Sequence, residues 1–329
     1  MSLHNYLILP ALALLALALD WLLGEPRRFH PLVGFGNLAN RLEARLNLVS
    51  RREAIAHRVT GVWALALLLI PFTALAWWLC SLPAVGWLVN ILLLYFAVGH
   101  KSLHEHAYAV LHALKRDDGG HAAREAAARM VSRDSAAIEA IPATIESVLE
   151  NGNDGVFGAL FWFLIAGGAG ALLFRLANTM DAMWGYRNPR FLQFGWAAAR
   201  LDDVLDYIPA RLTAWTYALL GNTRNALACW RRQAPGWDSP NAGPVMAAGA
   251  GALNIQLGGA ARYQGEWHQR PILGMGEKPV DTDIARALAL VRHGVYLWLA
   301  LAGLLSGLIQ LGLIHIALMP ILLKLSAHA

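Results

Sequence analysis

The sequence predicts an all-α polytopic membrane protein, and three observations predict it. The chain of 329 residues is 57% hydrophobic and only 15% charged, where soluble domains run near half apolar and a quarter charged. Its apolar residues fall in blocks close to the ~20 residues that a membrane-crossing helix needs. Several of its thirteen tryptophans sit at block edges, at Trp21, Trp63, Trp77, Trp78 and Trp87, where an amphipathic ring meets lipid headgroups. Core packing is the competing reading for some of them.

The first block covers residues 6–23. No positive segment precedes it and no small-residue cleavage site ends it, so it reads as a retained helix rather than a signal peptide. The second and third blocks, 59–80 and 84–99, are joined through Ser81-Leu82-Pro83. Residues 100–150 are polar and Ala-rich, with helices expected over 121–130 and 135–150, the latter with Pro142 near its start. We read 100–155 as a cytoplasmic helical insert within a single integral membrane domain of residues 1–329.

The fourth block, 156–176, contains Gly167-Gly168-Ala169-Gly170. It reads as a broken, re-entrant pair of the kind that lines polar cavities, which keeps the polar clusters before and after it on one side; a plain span is the alternative. Weaker apolar segments follow at 204–221, which holds Asp206 and Arg211, and at 244–260. The last block, 295–325, exceeds one simple span, and Pro320 divides or ends it. About five to seven membrane-embedded helices result.

Charge sets the orientation. Arg27, Arg28, Arg41, Arg45, Arg51, Arg52 and Arg58 lie between the first two blocks, and Lys101, Lys115, Arg116, Arg124, Arg129 and Arg133 follow the third. The N-terminus and the turn at 81–83 carry neither Lys nor Arg. The positive-inside rule then places both basic segments in the cytoplasm and the N-terminus outside. The net charge of +5 fits this rule and anionic substrates better than nucleic acid, for which no aromatic-plus-basic motif stands out. Cys80 and Cys229 are far apart and form neither a metal spacing nor a disulfide framework.

Four polar clusters interrupt the apolar background. The first is Asp20 with Glu25-Pro26-Arg27-Arg28 and His30. Acid at a helix C-terminus opposes the helix dipole, so the Arg pair or a bound cation must offset it. The second is the run 146–155, with Glu146, Glu150, Asn151, Asn153 and Asp154. Oxygen ligands at this density suit Mg²⁺, which takes one or two carboxylates plus substrate phosphates; an ordinary Asn/Gly loop is the alternative. The third is Asn178 and Asp181, on one helix face, followed by Arg200, Asp202 and Asp203. Adjacent Asp202 and Asp203 cannot share one site on a helix, and Arg200 can pair with Asp203 at i, i+3. The fourth, Asp238-Ser239-Pro240-Asn241 with Arg262 and Tyr263 downstream, is an anion cradle if it opens a helix.

His100, His104 and His106 with Glu105 resemble a metal run, but the HExxH spacing is lacking. No P-loop, Rossmann or Ser-His-Asp motif is present, and Gly274-Met275-Gly276-Glu277-Lys278 is only a superficial echo of the first.

Taken in order, these clusters resemble the membrane-bound adenosylcobinamide-phosphate synthases of cobalamin biosynthesis. The matching runs are 20–26, Ser102-Leu103 with His106, 131–134, 146–155, 178–186, 194–203 continuing into 208–214, 239–243 and 271–274, over nearly the whole chain. After 239–243, the family's Trp/Tyr-Pro-Glu is here Pro244-Val245-Met246.

The resemblance implies a bacterial inner-membrane enzyme with a cytoplasmic active site. It would form an amide between adenosylcobyric acid and aminopropanol or its phosphate, using ATP and Mg²⁺, with other late-pathway membrane enzymes as possible neighbours. For that chemistry Asp154, Asp181, Asp203 and Glu150 are the expected catalytic acids, with Asp154 and Asp181 on Mg²⁺. Arg133, Arg200 and Arg262 are expected on phosphates, and Asn151, Asn153, Asn178, Ser239 and Asn241 on substrates. Two rival readings are an accessory protein of the type linked to β-lactamase induction and a transporter, though inverted halves are lacking.

Overall fold

The computed structural model describes residues 3–26, 30–47, 54–116, 119–131, 137–263 and 265–312. The apolar blocks become α1 (Leu3–Leu23), α3 (Ala54–Ser81), α4 (Gly86–Ala97), α8 (Gly158–Trp184) and α12 (Asp281–Gln310). Between α1 and α3 lies α2 (Pro31–Leu46), its apolar face buried through Phe35 and Ala39. The polar stretch folds as α5 (His100–Ala113), α6 (His121–Ala128) and α7 (Ala140–Gly152). After α8 come α9 (Trp196–Leu220), α10 (Thr223–Gln233) and α11 (Ala242–Leu253).

Four segments are long and apolar enough to cross a membrane: Ala54–Ser81, Gly86–Ala113, Ala140–Trp184 and Asp281–Gln310. Leu7–Leu23 is a shorter apolar helix. Trp21, Trp63, Trp77, Trp78 and Trp87 are all exposed, which suits lipid-facing rings and not core aromatics.

The segment 140–184 does not cross as one rod. α7 continues through a π-helical turn (Asn153–Phe157) into α8. Helical geometry then fails inside α8 at Ala166 (φ −133°, ψ 16°) and Gly167 (φ 66°, ψ −160°). Gly158 abuts the Phe174 ring so closely that a Cβ would collide with it, and Gly170 abuts the Trp162 carbonyl in the same way. In a straight helix these pairs would lie ~24 Å and ~12 Å apart at 1.5 Å per residue, so the chain reverses at Ala166–Gly167 into a helical hairpin. The second limb starts with buried N–H donors that have no partner within the helix and that lipid cannot satisfy. The buried Asn90 side chain accepts from Gly168 N at 2.7 Å and donates to Gly86 O at 2.7 Å. Cys80 Sγ faces the N–H groups of Gly168 and Ala169, so this cysteine does more than fill space.

Two expectations need correction. The helix expected over 135–150 starts at Ala140, with Pro142 in its first turn, where a missing N–H costs nothing; residues 132–136 lie outside the described residues. Four short strands, not foreseen, follow α11. β1 (Gln256–Gly258) pairs antiparallel with β4 (Ile272–Gly274), and β2 (Ala261–Tyr263) with β3 (Glu266–His268). Three residues are too few to display strand alternation. A buried ion pair ties this ribbon to α7: Arg270 Nη1 donates to Glu146 Oε2 at 2.9 Å, and Gly258 N donates to Glu146 Oε1 at 2.8 Å.

Candidate active site

The hairpin brings its two ends together at one end of the bundle. Asp154 lies in the π-helical turn of the first limb, and Asp181 in the last turn of the second. α9 packs alongside and presents Asp202 and, one turn on, Asp206. The buried Asn153 joins these elements. Its Nδ2 donates to both carboxylate oxygens of Asp206 at 2.8 Å and to Asp154 Oδ1 at 2.9 Å, while the Thr213 hydroxyl donates to Asn153 Oδ1 at 2.9 Å. A π turn in a helix is commonly found at functional sites; here it sets Asn153 and Asp154 side by side. Asn178 Nδ2 points at Asp202 Oδ1 at 3.5 Å.

Asp202 records the crowding of charge. Burial first, then the carboxylates of Asp154 and Asp181, push its pKa up to about 8. Asp203 pairs with Arg200 at 3.2 Å across i, i+3, as the sequence reading allowed, and borders the same cleft as Asp181 and Asp202. Asp202, which the sequence reading did not count among the catalytic acids, joins the cluster as well.

Beside the carboxylates opens a cleft of about 930 Å³, lined by Asp181, Asp202, Arg187, Arg211, Arg231 and Trp237 among others. Arg200 and Ser239 also border it. Ser239 Oγ accepts from Asn241 N at 3.3 Å and Ala242 N at 3.1 Å, capping α11. Asn241 is buried and locked: its Oδ1 accepts from Arg211 at 2.7 Å, and its Nδ2 donates to the Asp203 carbonyl at 2.9 Å. Asn241 therefore holds α11 to α9 and has little left for a substrate.

The other expected residues divide. Asn151 is exposed and lines a smaller pocket, separate from the cleft, while its Nδ2 donates to Ser147. Glu150 borders neither that pocket nor the cleft. Arg262 lies in β2, with Nε donating to Gly265 O, and is not brought into the cleft. Arg133, Arg27 and Arg28 lie outside the described residues.

The first cluster docks at the same end as Asp154. Lys101 N donates to Asp20 Oδ2 at 2.8 Å, Tyr95 donates to Gly24 O at 2.7 Å, and Gly99 N donates to Gly155 O at 3.0 Å. A backbone N–H thus answers the acid at the end of α1. Glu25 and Arg175 border two pockets here, of about 180 and 730 Å³. Sequence reasoning missed Arg175, whose one signal was a lone Arg inside the end of the fourth apolar block. His100 and His104 pack on each other and on Trp21, whose Nε1 donates to His100 Nδ1 at 3.1 Å.

The loop after the hairpin is anchored to α2. Arg190 binds Glu43 through Nε at 3.0 Å and Nη2 at 2.6 Å, and Asn47 Nδ2 donates to the same carboxylate. Burial pushes the Glu43 carboxyl up, but these hydrogen bonds outweigh it and hold its pKa below the usual value.

Among the described residues, no group of three His, Cys, Asp or Glu side chains is arranged to hold a metal by itself. Mg²⁺ does not require such a group, because phosphate oxygens and waters complete its shell. Carboxylates next to an Arg-lined cleft fit a Mg²⁺–polyphosphate.

Fold and site together define a multi-pass membrane protein with a polar site where the ends of a broken helix meet. The CobD/Cbib protein family matches residues 13–291. A cobalamin biosynthesis protein CobD of Stutzerimonas stutzeri is 60% identical over 287 residues, covering 86% of this chain and 93% of its own. CobD of Chromobacterium violaceum is 55% identical over 306 residues, covering 92% and 97%. CobD of Mycobacterium tuberculosis is 39% identical over 289 residues, covering 85% and 90%. No solved structure matches. The chain belongs to the CobD/Cbib family, that of the adenosylcobinamide-phosphate synthases, and is an enzyme of cobalamin biosynthesis.

Proposed function

We propose that this protein joins adenosylcobyric acid to (R)-1-aminopropan-2-ol or its O-phosphate in an ATP-dependent amide synthesis. The observation that carries this reading is the meeting of Asp154, Asp181 and Asp202 beside a cleft bordered by Arg187, Arg211 and Arg231. Carboxylates for Mg²⁺ next to cations for a polyphosphate are what phosphoryl transfer needs.

In the proposed sequence a carboxylate oxygen of the corrinoid acid attacks the γ-phosphorus of ATP, and ADP leaves. The amine then attacks the carbonyl carbon of the acyl phosphate. Phosphate departs with the C–O bond electrons, and the amine loses a proton. Asp181 and Asp202 would hold Mg²⁺, which offsets phosphate charge when bound. Arg187, Arg211 and Arg231 would stabilise charge on the phosphates. Asp154, at the inner edge of the cluster, would face the reacting carboxylate and complete the metal's oxygen shell. The cytoplasmic side of the bacterial inner membrane, where ATP is available, is the proposed setting.

The test is conversion of adenosylcobyric acid to its amide by purified protein, followed by mass spectrometry with each amino alcohol. Product should require both ATP and Mg²⁺. Asp154→Asn and Asp181→Asn should each lower kcat/KM by at least about a hundredfold, as loss of a transition-state charge contact does. Loss of about twofold only, in folded variants, would end these assignments. ATP-independent uptake of a corrinoid into proteoliposomes, without product, would move the transporter reading to the front.

A further inference from the structure

Arg175 is the unexplained charge in this fold. It lies on the second limb of the hairpin, and its Nε is buried without a hydrogen-bond partner. Glu25 and Asp154 are its electrostatic neighbours, yet among the described residues no carboxylate lies within the 4.0 Å of an ion pair with it. Arginine at membrane depth without a paired anion is costly and marks a functional position. Arg175 also borders two pockets that share no lining residue with the Arg-lined cleft.

We propose that Arg175 binds the carboxylate of the acyl substrate and presents it to the Asp154–Asp181–Asp202 cluster; this rests on the amide-forming reading above. Arg175 lines neither wall of the Arg-lined cleft, and Asp154 is an electrostatic neighbour of both Arg175 and Asp202, so a substrate carboxylate on Arg175 would approach the cluster by way of Asp154 from pockets separate from the nucleotide cleft. A guanidinium matches a carboxylate with two parallel N–H···O bonds. Glu25 lines both pockets, and its charge opposes a dianionic phosphate more than a monoanionic carboxylate.

The experiment uses the full chain in detergent, with corrinoid binding followed by visible absorption in the absence of ATP. Adenosylcobyric acid carries the carboxylate; adenosylcobinamide, the amide, lacks it. Wild type should prefer the acid. Arg175→Gln should weaken acid binding by at least about thirtyfold, the scale of truncating one partner of a buried charge pair, and leave amide binding unchanged. Arg175→Lys, which keeps the charge but not the fork, should fall between, and serves if the Gln variant does not fold. Folded variants that bind the acid within about threefold of wild type would overturn the assignment. So would a rise in KM confined to aminopropanol phosphate, with free aminopropanol and the acid unaffected, since Arg175 would then hold a phosphate. Wild type that binds neither corrinoid would overturn the functional reading itself, and the role of Arg175 with it.

Discussion

Asp202 shows at the residue scale how the site is poised. Its pKa of about 8 against an ordinary 3.8 means that the folded protein holds a proton which the unfolded chain has released over that interval. Stability must then fall as pH rises from the lower value to the upper, and level off above it. Metal ligation requires the deprotonated form, so Mg²⁺ with nucleotide should bind better as pH rises over the same range. We expect the metal-free melting temperature to drop between about pH 4 and pH 8 and to level off above, and Asp202→Asn to flatten that dependence. A slope unchanged by the substitution would mean that the proton resides elsewhere in the cluster. The sequence reading took adjacent helix positions as too divergent for Asp202 and Asp203 to face one site, whereas both border the cleft. The pairing of Arg200 with Asp203 was legible from the i, i+3 spacing alone.

At the scale of elements, the hairpin decides whether there is a site at all. Its bend depends on Gly167, whose φ of 66° and ψ of −160° fall in a region open essentially to glycine alone. Gly167→Ala should therefore cost about 1–3 kcal/mol in strain, read as a lower melting temperature, together with loss of the proposed amide synthesis as Asp154 and Asp181 separate. An alanine variant with wild-type melting and turnover would show that the backbone can bend here without glycine. The glycine run was legible in the sequence as a break, one residue from where it falls. The device that caps the second limb was not, because Asn90 is 78 residues from the Gly168 N–H it satisfies and reads as one polar residue in an apolar block.

The whole molecule joins four polar clusters that lie up to 220 residues apart, between Asp20 and Pro240. The order and chemistry of the clusters were legible because carboxylates, amides and arginines are conspicuous among apolar residues. Their division of labour was not: Glu146 looked like a ligand and is the partner of Arg270, and Asn241 looked like a substrate contact and is the clasp between α9 and α11. Composition fixes residue types, whereas partner choice depends on long-range packing. The same packing makes a claim about sidedness. We propose, from the positive-inside rule, that the end of the bundle with the basic segments around α2 and α5 is cytoplasmic; the hairpin puts the loop after Trp184 at the same end as Asp154. With Cys80 and Cys229 replaced by Ser, an impermeant maleimide should label Ser81→Cys from outside intact cells and Arg187→Cys only after lysis. Labelling of Arg187→Cys in intact cells would mean that α8 crosses once. Asp154 and Asp181 would then stand on opposite faces of the membrane, and no shared site could exist.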